Sequence, residues 1–198
     1  MKLAFFASHN GTNMQAVLDA CKTGDVLGEP SVVISNNSDA QALARAKRDG
    51  IPHYHLSSKT HPDPGQLDAE ILMVLQRHQA ELAILAGYMR KLGPKTLAHY
   101  QGRILNIHPA LLPKYGGPGM YGAHVHAAVL AAGEKETGVT IHLVDGEYDH
   151  GAILAQCRVP VLPMDTIATL SARVLAQEHL FLVDTVKRIV AKELTLPA

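Results

Sequence analysis

Asn106 and His108 stand two residues apart in the segment ILNIHP, at the close of an apolar run. Side chains at i and i+2 of a strand share one face, so this amide and imidazole would stand together at a sheet edge where ligands bind. An amide donor beside an imidazole can hold a developing oxyanion and move a proton, as acyl transfer requires. The same spacing also suits a buried histidine satisfied by a backbone carbonyl. A carboxylate partner could come from Asp149 in DGEYDHG, residues Asp145–Gly151. Acidic residues bounded by glycines are common turn formers. Folded over the strand ends, Asp149 would instead orient His108 and raise its pKa.

Ser8-His9-Asn10-Gly11-Thr12-Asn13 is a small polar loop leading into a helix-period segment. Free N–H groups and the positive end of a helix suit a phosphate. The loop is neither G-x-G-x-x-G nor a P-loop, and it also reads as an ordinary turn with Thr12 or Asn13 as N-cap. Twelve histidines raise the question of a metal. His53/His55 and His124/His126 are H-x-H pairs, but no H-E-x-x-H occurs and no spacing fixes a third ligand, so no metal is expected. Cys21 and Cys157 lack a C-x-x-C partner and are read as small core residues.

These groups need a frame, and the order of elements supplies one. Strands are expected at Leu3–Ser8, Pro30–Ser35, His53–Ser57, Leu82–Tyr88 and Ile104–His108. Helices are expected at Asn13–Lys22, about Asp39 to Arg48, Gln66–His78 and Pro94–Tyr100, with Gly24 and Gly50 as stops. Continuous apolar strands alternating with helices predict an α/β fold, a Rossmann-like, mostly parallel sheet covered on both faces. After Tyr121 a helix near His124–Ala132 leads to Gly138–Val144 and Ala152–Val161, an expected antiparallel hairpin, and a long helix from about Asp165 to Val190. No linker or repeat divides residues 1–198, so one domain is expected.

Composition bounds the partners. Eighteen basic and eighteen acidic residues leave no net charge, which disfavours nucleic acid or an anionic membrane as partner. At 47% hydrophobic and 18% charged, the chain can fill a core. The run Leu3–Ala7 is too short for a signal peptide, and no stretch approaches the ~20 apolar residues of a membrane span, so a soluble, cytoplasmic protein is expected. Oligomeric state leaves no signal in the residues.

Asn106-Ile107-His108-Pro109-Ala110-Leu111-Leu112-Pro113 resembles the N-x-H-P-[SA]-L-L-P segment of the folate-dependent formyltransferases. Together with Asn10–Asn13, Ala86-Gly87-Tyr88-Met89-Arg90, Asp149 and Gln177-Glu178-His179, nearly the whole chain is similar to the branch that formylates the glycinamide amine of a phosphoribosyl substrate. The resemblance implies 10-formyltetrahydrofolate as cosubstrate, two small-molecule substrates and no metal. It implies Asn106, His108 and Asp149 as catalytic residues. Gly11, Thr12 and Asn13 would hold the substrate phosphate, Glu178 the ribose hydroxyls, and Gly87 would border the same substrate. Met89, Arg90, Leu92, Val144, Asp145 and Tyr148 would line the folate pocket.

Two departures from the family pattern stand out. The loop after Lys114, YGGPGMYGAHVH, is longer than the short Tyr-Pro-Gly connection of many members. Many members also carry an arginine near Ser58–Gly65 that helps the phosphate, and here Lys59 would replace it. A dehydrogenase-like module would need a dinucleotide fingerprint after the first strand and an acidic residue closing the second, where Ser35-Asn36-Asn37 stands. A sugar-amine or tRNA N-formyltransferase would add a C-terminal domain, and a formyltetrahydrofolate hydrolase an N-terminal one; neither is expected here.

Overall fold

Five apolar runs become the parallel strands β1 (Lys2–Phe6), β2 (Glu29–Ser35), β3 (His53–His55), β4 (Leu82–Leu85) and β5 (Ile104–His108). Between them run α1 (Thr12–Thr23), α2 (Gln41–Arg48), α3 (Pro64–Arg77) and α4 (Pro94–His99). The chain continues through α5 (Ala123–Ala131), β6 (Glu136–Leu143), β7 (Ile153–Pro160) and α6 (Ile167–Val190). The computed structural model describes residues 1–196, so the last two residues of the expected single domain lie outside it. The sheet order is β3-β2-β1-β4-β5-β6-β7, with β6 and β7 antiparallel as the short DGEYDHG connection predicts.

Both faces of the sheet are apolar because both are covered. Leu3 and Phe5 of β1 pack with α1 and α6, while the alternate residues Ala4 and Phe6 pack with α3. The first three strands run outward from β1 and the chain then returns to β4 on its other side. That reversal makes a crevice beyond the carboxyl ends of β1 and β4, the usual ligand position in such sheets.

Boundaries differ from the sequence expectation where side chains or glycines capture the backbone. β3 stops at His55 because the Thr60 hydroxyl closes a turn, accepting from Ser57 N and donating to Ser57 O. β4 stops at Leu85, and Gly87 turns the chain at φ +81°. The N-cap of α1 is Gly11, not Thr12 or Asn13. Gly11 sits at φ +66°, and a Cβ there would lie 2.8 Å from Ala42 Cβ, so the loop needs glycine twice over. Cys21 and Cys157 are partly exposed free thiols rather than buried core residues.

Asp68 shows what holds the far side together. Its buried carboxylate, on α3, accepts from Lys95 N (2.7 Å), Thr96 N (3.0 Å) and Thr96 Oγ1 (2.6 Å), capping α4 from outside. The N-cap of α4 is Gly93, which has no side chain to do this, and a Cβ on Gly93 would strike Asp68. Asp68→Ala would strand three donors, two of them on buried Thr96, and should cost about 2–4 kcal/mol. Thermal unfolding should show a midpoint several degrees lower, with Asp68→Asn between the variant and the parent; an unchanged midpoint for Asp68→Ala would remove the cap from the fold's supports.

Candidate active site

Ser8 draws three strand ends together. Its N–H donates to Gly87 O (2.9 Å), its hydroxyl meets Asn36 Oδ1, and the same oxygen accepts from Met89 N (2.7 Å). The loops after β1, β2 and β4 are thereby one unit. Beside it, Arg45 Nε donates to Asn10 O (2.8 Å) and Ala42 N to His9 O (3.1 Å), fixing the His9–Asn13 turn on α2.

On β5, Asn106 and His108 share a face as their spacing predicts, and both reach Asp149. Asn106 Nδ2 lies 3.4 Å and His108 Nδ1 3.4 Å from Asp149 Oδ1. His142 Nε2 stands 3.5 Å from the same oxygen and 3.0 Å from Asn106 Nδ2. Sequence reasoning missed His142. It is the antiparallel partner of Asn106 across β5 and β6, so only the strand register, invisible in one sequence, brings it in. The signal that could have found it is Thr140 and His142 at i and i+2 of one strand. Thr140 is the second support: its hydroxyl donates to Ala110 O (2.6 Å) and accepts from Leu112 N (3.1 Å), pinning the chain just past His108.

Proton positions follow from what each neighbour can do. The Leu143 carbonyl only accepts, so His142 Nδ1, 2.8 Å away, carries the proton and Nε2 accepts the Asn106 amide. The Tyr115 carbonyl likewise makes His108 Nε2 a donor at 2.8 Å. The basic nitrogen of His108 is then Nδ1, facing Asp149. Both sequence readings of His108 are thus present at once: a backbone carbonyl satisfies one nitrogen and a carboxylate faces the other.

Electrostatics corrects one expectation. His108 is 3% exposed, and burial lowers its pKa despite the opposing pull of Asp149 and the Tyr115 carbonyl; the expected upward shift is overridden. Burial works to raise Asp149, yet the His142 and His108 rings and the Gly117 N–H, 2.9 Å from Oδ2, hold it below the ordinary carboxylate range. The site is a carboxylate beside a neutral imidazole, able to take up one proton between them.

Asp149 and Tyr115 both adopt left-handed backbone, at φ +54° and +58°. For residues with a Cβ this costs about 1–2 kcal/mol each, so the contacts around the histidine over-determine the strain. Gly116 between them has no room for a side chain, since a Cβ would lie 2.4 Å from Leu112 Cδ2.

A cleft of about 60 Å³ reaches this cluster. It brings Arg90, Leu92, Val144, Asp145 and Tyr148 together with Asn106, His142 and Asp149. Lys91 closes one rim, with Nζ on Gly146 O (2.9 Å) and over the Tyr148 ring at 4.7 Å. Met89, partly exposed, stands outside this lining. A second cavity of about 310 Å³ shares Tyr88, Arg90 and Lys91 with the cleft and takes in Asn36, Ser57 and Lys59. Lys59 therefore faces that cavity, whose walls do not include Gly11–Asn13.

At the other end of the crevice Glu178, on α6, is 7% exposed against Asn13. Burial pushes its carboxyl up to about 7, partly offset by the Asn13 hydrogen bond. Asn13 Oδ1 is buried without a partner. His124 lies exposed against Tyr121, whereas His126 is buried with Nδ1 unpartnered, and burial followed by the nearby His108 lowers its pKa. Among the described residues, no group of three or more His, Cys, Asp or Glu side chains is arranged to hold a metal ion, and no helix is long and apolar enough to cross a membrane.

Residues 1–186 match the family model described as formyl transferase. Phosphoribosylglycinamide formyltransferase of Escherichia coli K12 is 40% identical over 179 residues, covering 90% of this chain and 82% of that protein. The protein of the same name from Haemophilus influenzae is 42% identical over 178 residues, with the same coverage. The crystal structure of glycinamide ribonucleotide transformylase 1 from Symbiobacterium toebii superposes with a TM-score of 0.92 at 36% identity, covering 100% of this chain and 91% of that one.

The buried Glu178 has a measurable signature. An unfolded carboxyl titrates near 4.5 and the folded one near 7, so between these values the folded state keeps a proton that the unfolded state releases. Stability therefore falls as pH rises through that window and levels off above it, by about 3 kcal/mol at most. Glu178→Gln should unfold close to the parent at pH 4.5 and several degrees above it at pH 8. Parallel melting curves across that range would show that Glu178 is ionised throughout.

Proposed function

The chain belongs to the formyl transferase family, and we propose that it transfers the formyl group of 10-formyltetrahydrofolate to the amine of glycinamide ribonucleotide in purine synthesis. The observation that carries this is the convergence of Asn106 and His108 on Asp149 Oδ1, each at 3.4 Å, beside a cleft that Asn106 and Asp149 line. Neither a sugar-amine transferase nor a nucleotide-binding module is favoured by the relatives, which carry the name phosphoribosylglycinamide formyltransferase.

In this proposal the cleft holds the folate, between Arg90, Leu92 and Met89 on one side and Val144, Asp145 and Tyr148 on the other. Gly11, Thr12 and Asn13 hold the phosphate of the acceptor at the N-terminus of α1, Glu178 its ribose hydroxyls, and Gly87 borders its amine end. Lys59 adds longer-range positive charge from the neighbouring cavity. The acceptor nitrogen attacks the formyl carbon, and the carbonyl oxygen gains negative charge. Asn106 Nδ2–H and His108 Nε2–H donate to that oxygen. The attacking nitrogen loses a proton through a water to the Asp149 carboxylate in the cleft, which shares it with His108 Nδ1 as a carboxylate–imidazolium pair. Collapse breaks the bond from carbon to N10 of the folate, and the same proton is returned to N10. No step uses a metal. The substrates are small and water-soluble, which suits an enzyme of the cytoplasm.

Asn106→Ala, His108→Ala and Asp149→Ala should each lower kcat about 100-fold or more in folded protein, and pairs should be far from additive because the three act as a unit. Full turnover by His108→Ala would end the proposal. The acceptor is tested separately by comparing phosphorylated with dephosphorylated glycinamide ribonucleoside. Kcat/KM should fall sharply without the phosphate; equal values would point to a different amine.

A further inference from the structure

Two contacts of the catalytic pair come from one short stretch of chain. The Tyr115 carbonyl accepts the Nε2–H of His108 at 2.8 Å, and two residues on, Gly117 N–H donates to Asp149 Oδ2 at 2.9 Å. The stretch is anchored elsewhere. Glu134, between α5 and β6, accepts from Tyr115 Oη (2.9 Å) and from Lys114 Nζ (2.8 Å) with the same Oε1. Nothing in the reaction calls on Glu134, which lies outside the cleft lining and outside every residue set implied by the motifs.

The geometry points to a latch: Glu134, through Tyr115, holds a backbone carbonyl on the His108 donor that the reacting formyl oxygen must use, so that the substrate has to displace it. This rests on the function proposed above, in which Nε2–H serves that oxygen. A carbonyl oxygen at 2.8 Å is chemically the same kind of acceptor as a formyl oxygen, so the two compete for one N–H. The contact is also poised to let go. Tyr115 is held in left-handed backbone that its Cβ disfavours, at φ +58°, and the segment after it carries Gly116, Gly117 and Gly119, two of them at φ +90° and +85°. Such a stretch relaxes readily once its anchor is lost. Apparent affinity for the formyl donor is reduced by the fraction of molecules in which the latch is closed.

Loosening the anchor should therefore improve binding rather than impair chemistry. Glu134→Ala and Tyr115→Phe each remove the hydrogen bond to the phenol, and each should lower KM for the formyl folate by about three- to tenfold, the worth of one ordinary hydrogen bond. Kcat should be kept. Combining the two should add nothing, since both break one link. Glu134→Gln retains an acceptor oxygen and should restore the parent KM. Hydrogen exchange of the Gly117 amide, measured without substrate, should quicken in Glu134→Ala and Tyr115→Phe but not in Glu134→Gln. That readout does not depend on activity, so a parent protein without formyl transfer would overturn the proposed function while exchange still reports on the latch. A lower kcat with unchanged or raised KM would show that the anchor positions His108 for catalysis, and unchanged exchange would show that Glu134 holds nothing; either result overturns the latch.

Discussion

One carboxylate oxygen organises the centre. Asp149 Oδ1 faces Asn106, His108 and His142 at 3.4, 3.4 and 3.5 Å, and these come from β5, β6 and the loop that joins β6 to β7. A buried carboxylate kept ionised needs compensation, and here the Asn106 amide and the Gly117 N–H donate to it. The antiparallel turn of the sheet after β5 is thus a condition of the chemistry. A sixth parallel strand would bring different residues past Asn106, and the connection carrying Asp149 would leave from the opposite end.

The same oxygen decides the protonation pattern. Asp149 is ionised and His108 is buried enough for its pKa to fall, so the pair begins with one vacancy for a proton on His108 Nδ1. An amine that has attacked a carbonyl must lose a proton of comparable acidity. Burial lowers the basicity of an isolated imidazole, and Asp149 restores part of it at the moment the proton arrives, when an imidazolium and a carboxylate face each other. His142 accepts from the Asn106 amide through Nε2 and so fixes the orientation of that amide.

How much of this was legible in the sequence varies with the range of the interaction involved. Continuous apolar runs and short connections are local signals, and they placed β5 at Ile104–His108 and the antiparallel hairpin beyond it. Asn106 and His108 share a face by strand geometry alone. His142, Thr140 and the Tyr115 carbonyl are different in kind. Their roles depend on register across β5 and β6 and on a loop folding back 7 residues from His108, and backbone carbonyls carry no residue signature at all. The direction of the His108 shift was misjudged for a related reason: a neighbouring carboxylate can be guessed from a motif, while the depth of burial that outweighs it comes from packing. Glu178 sits at the opposite extreme, a single carboxyl whose motif position was readable but whose pKa near 7 belongs to the tertiary fold.

Strain and satisfaction at this site are linked. Asp149 and Tyr115 hold disfavoured backbone, yet the Nε2–H of His108 and both oxygens of Asp149 have partners supplied by the protein itself. Such a centre is well satisfied in isolation, so each donor it offers to a substrate must first be taken from an internal acceptor. That raises the cost of binding and lowers the cost of leaving the buried groups alone in water-poor surroundings. A centre with idle donors would bind its substrate more tightly and would also demand water or counter-ions whenever substrate is absent. The strained left-handed residues lie where those two demands meet, at the carbonyl and the carboxylate that must change partners as the formyl group arrives.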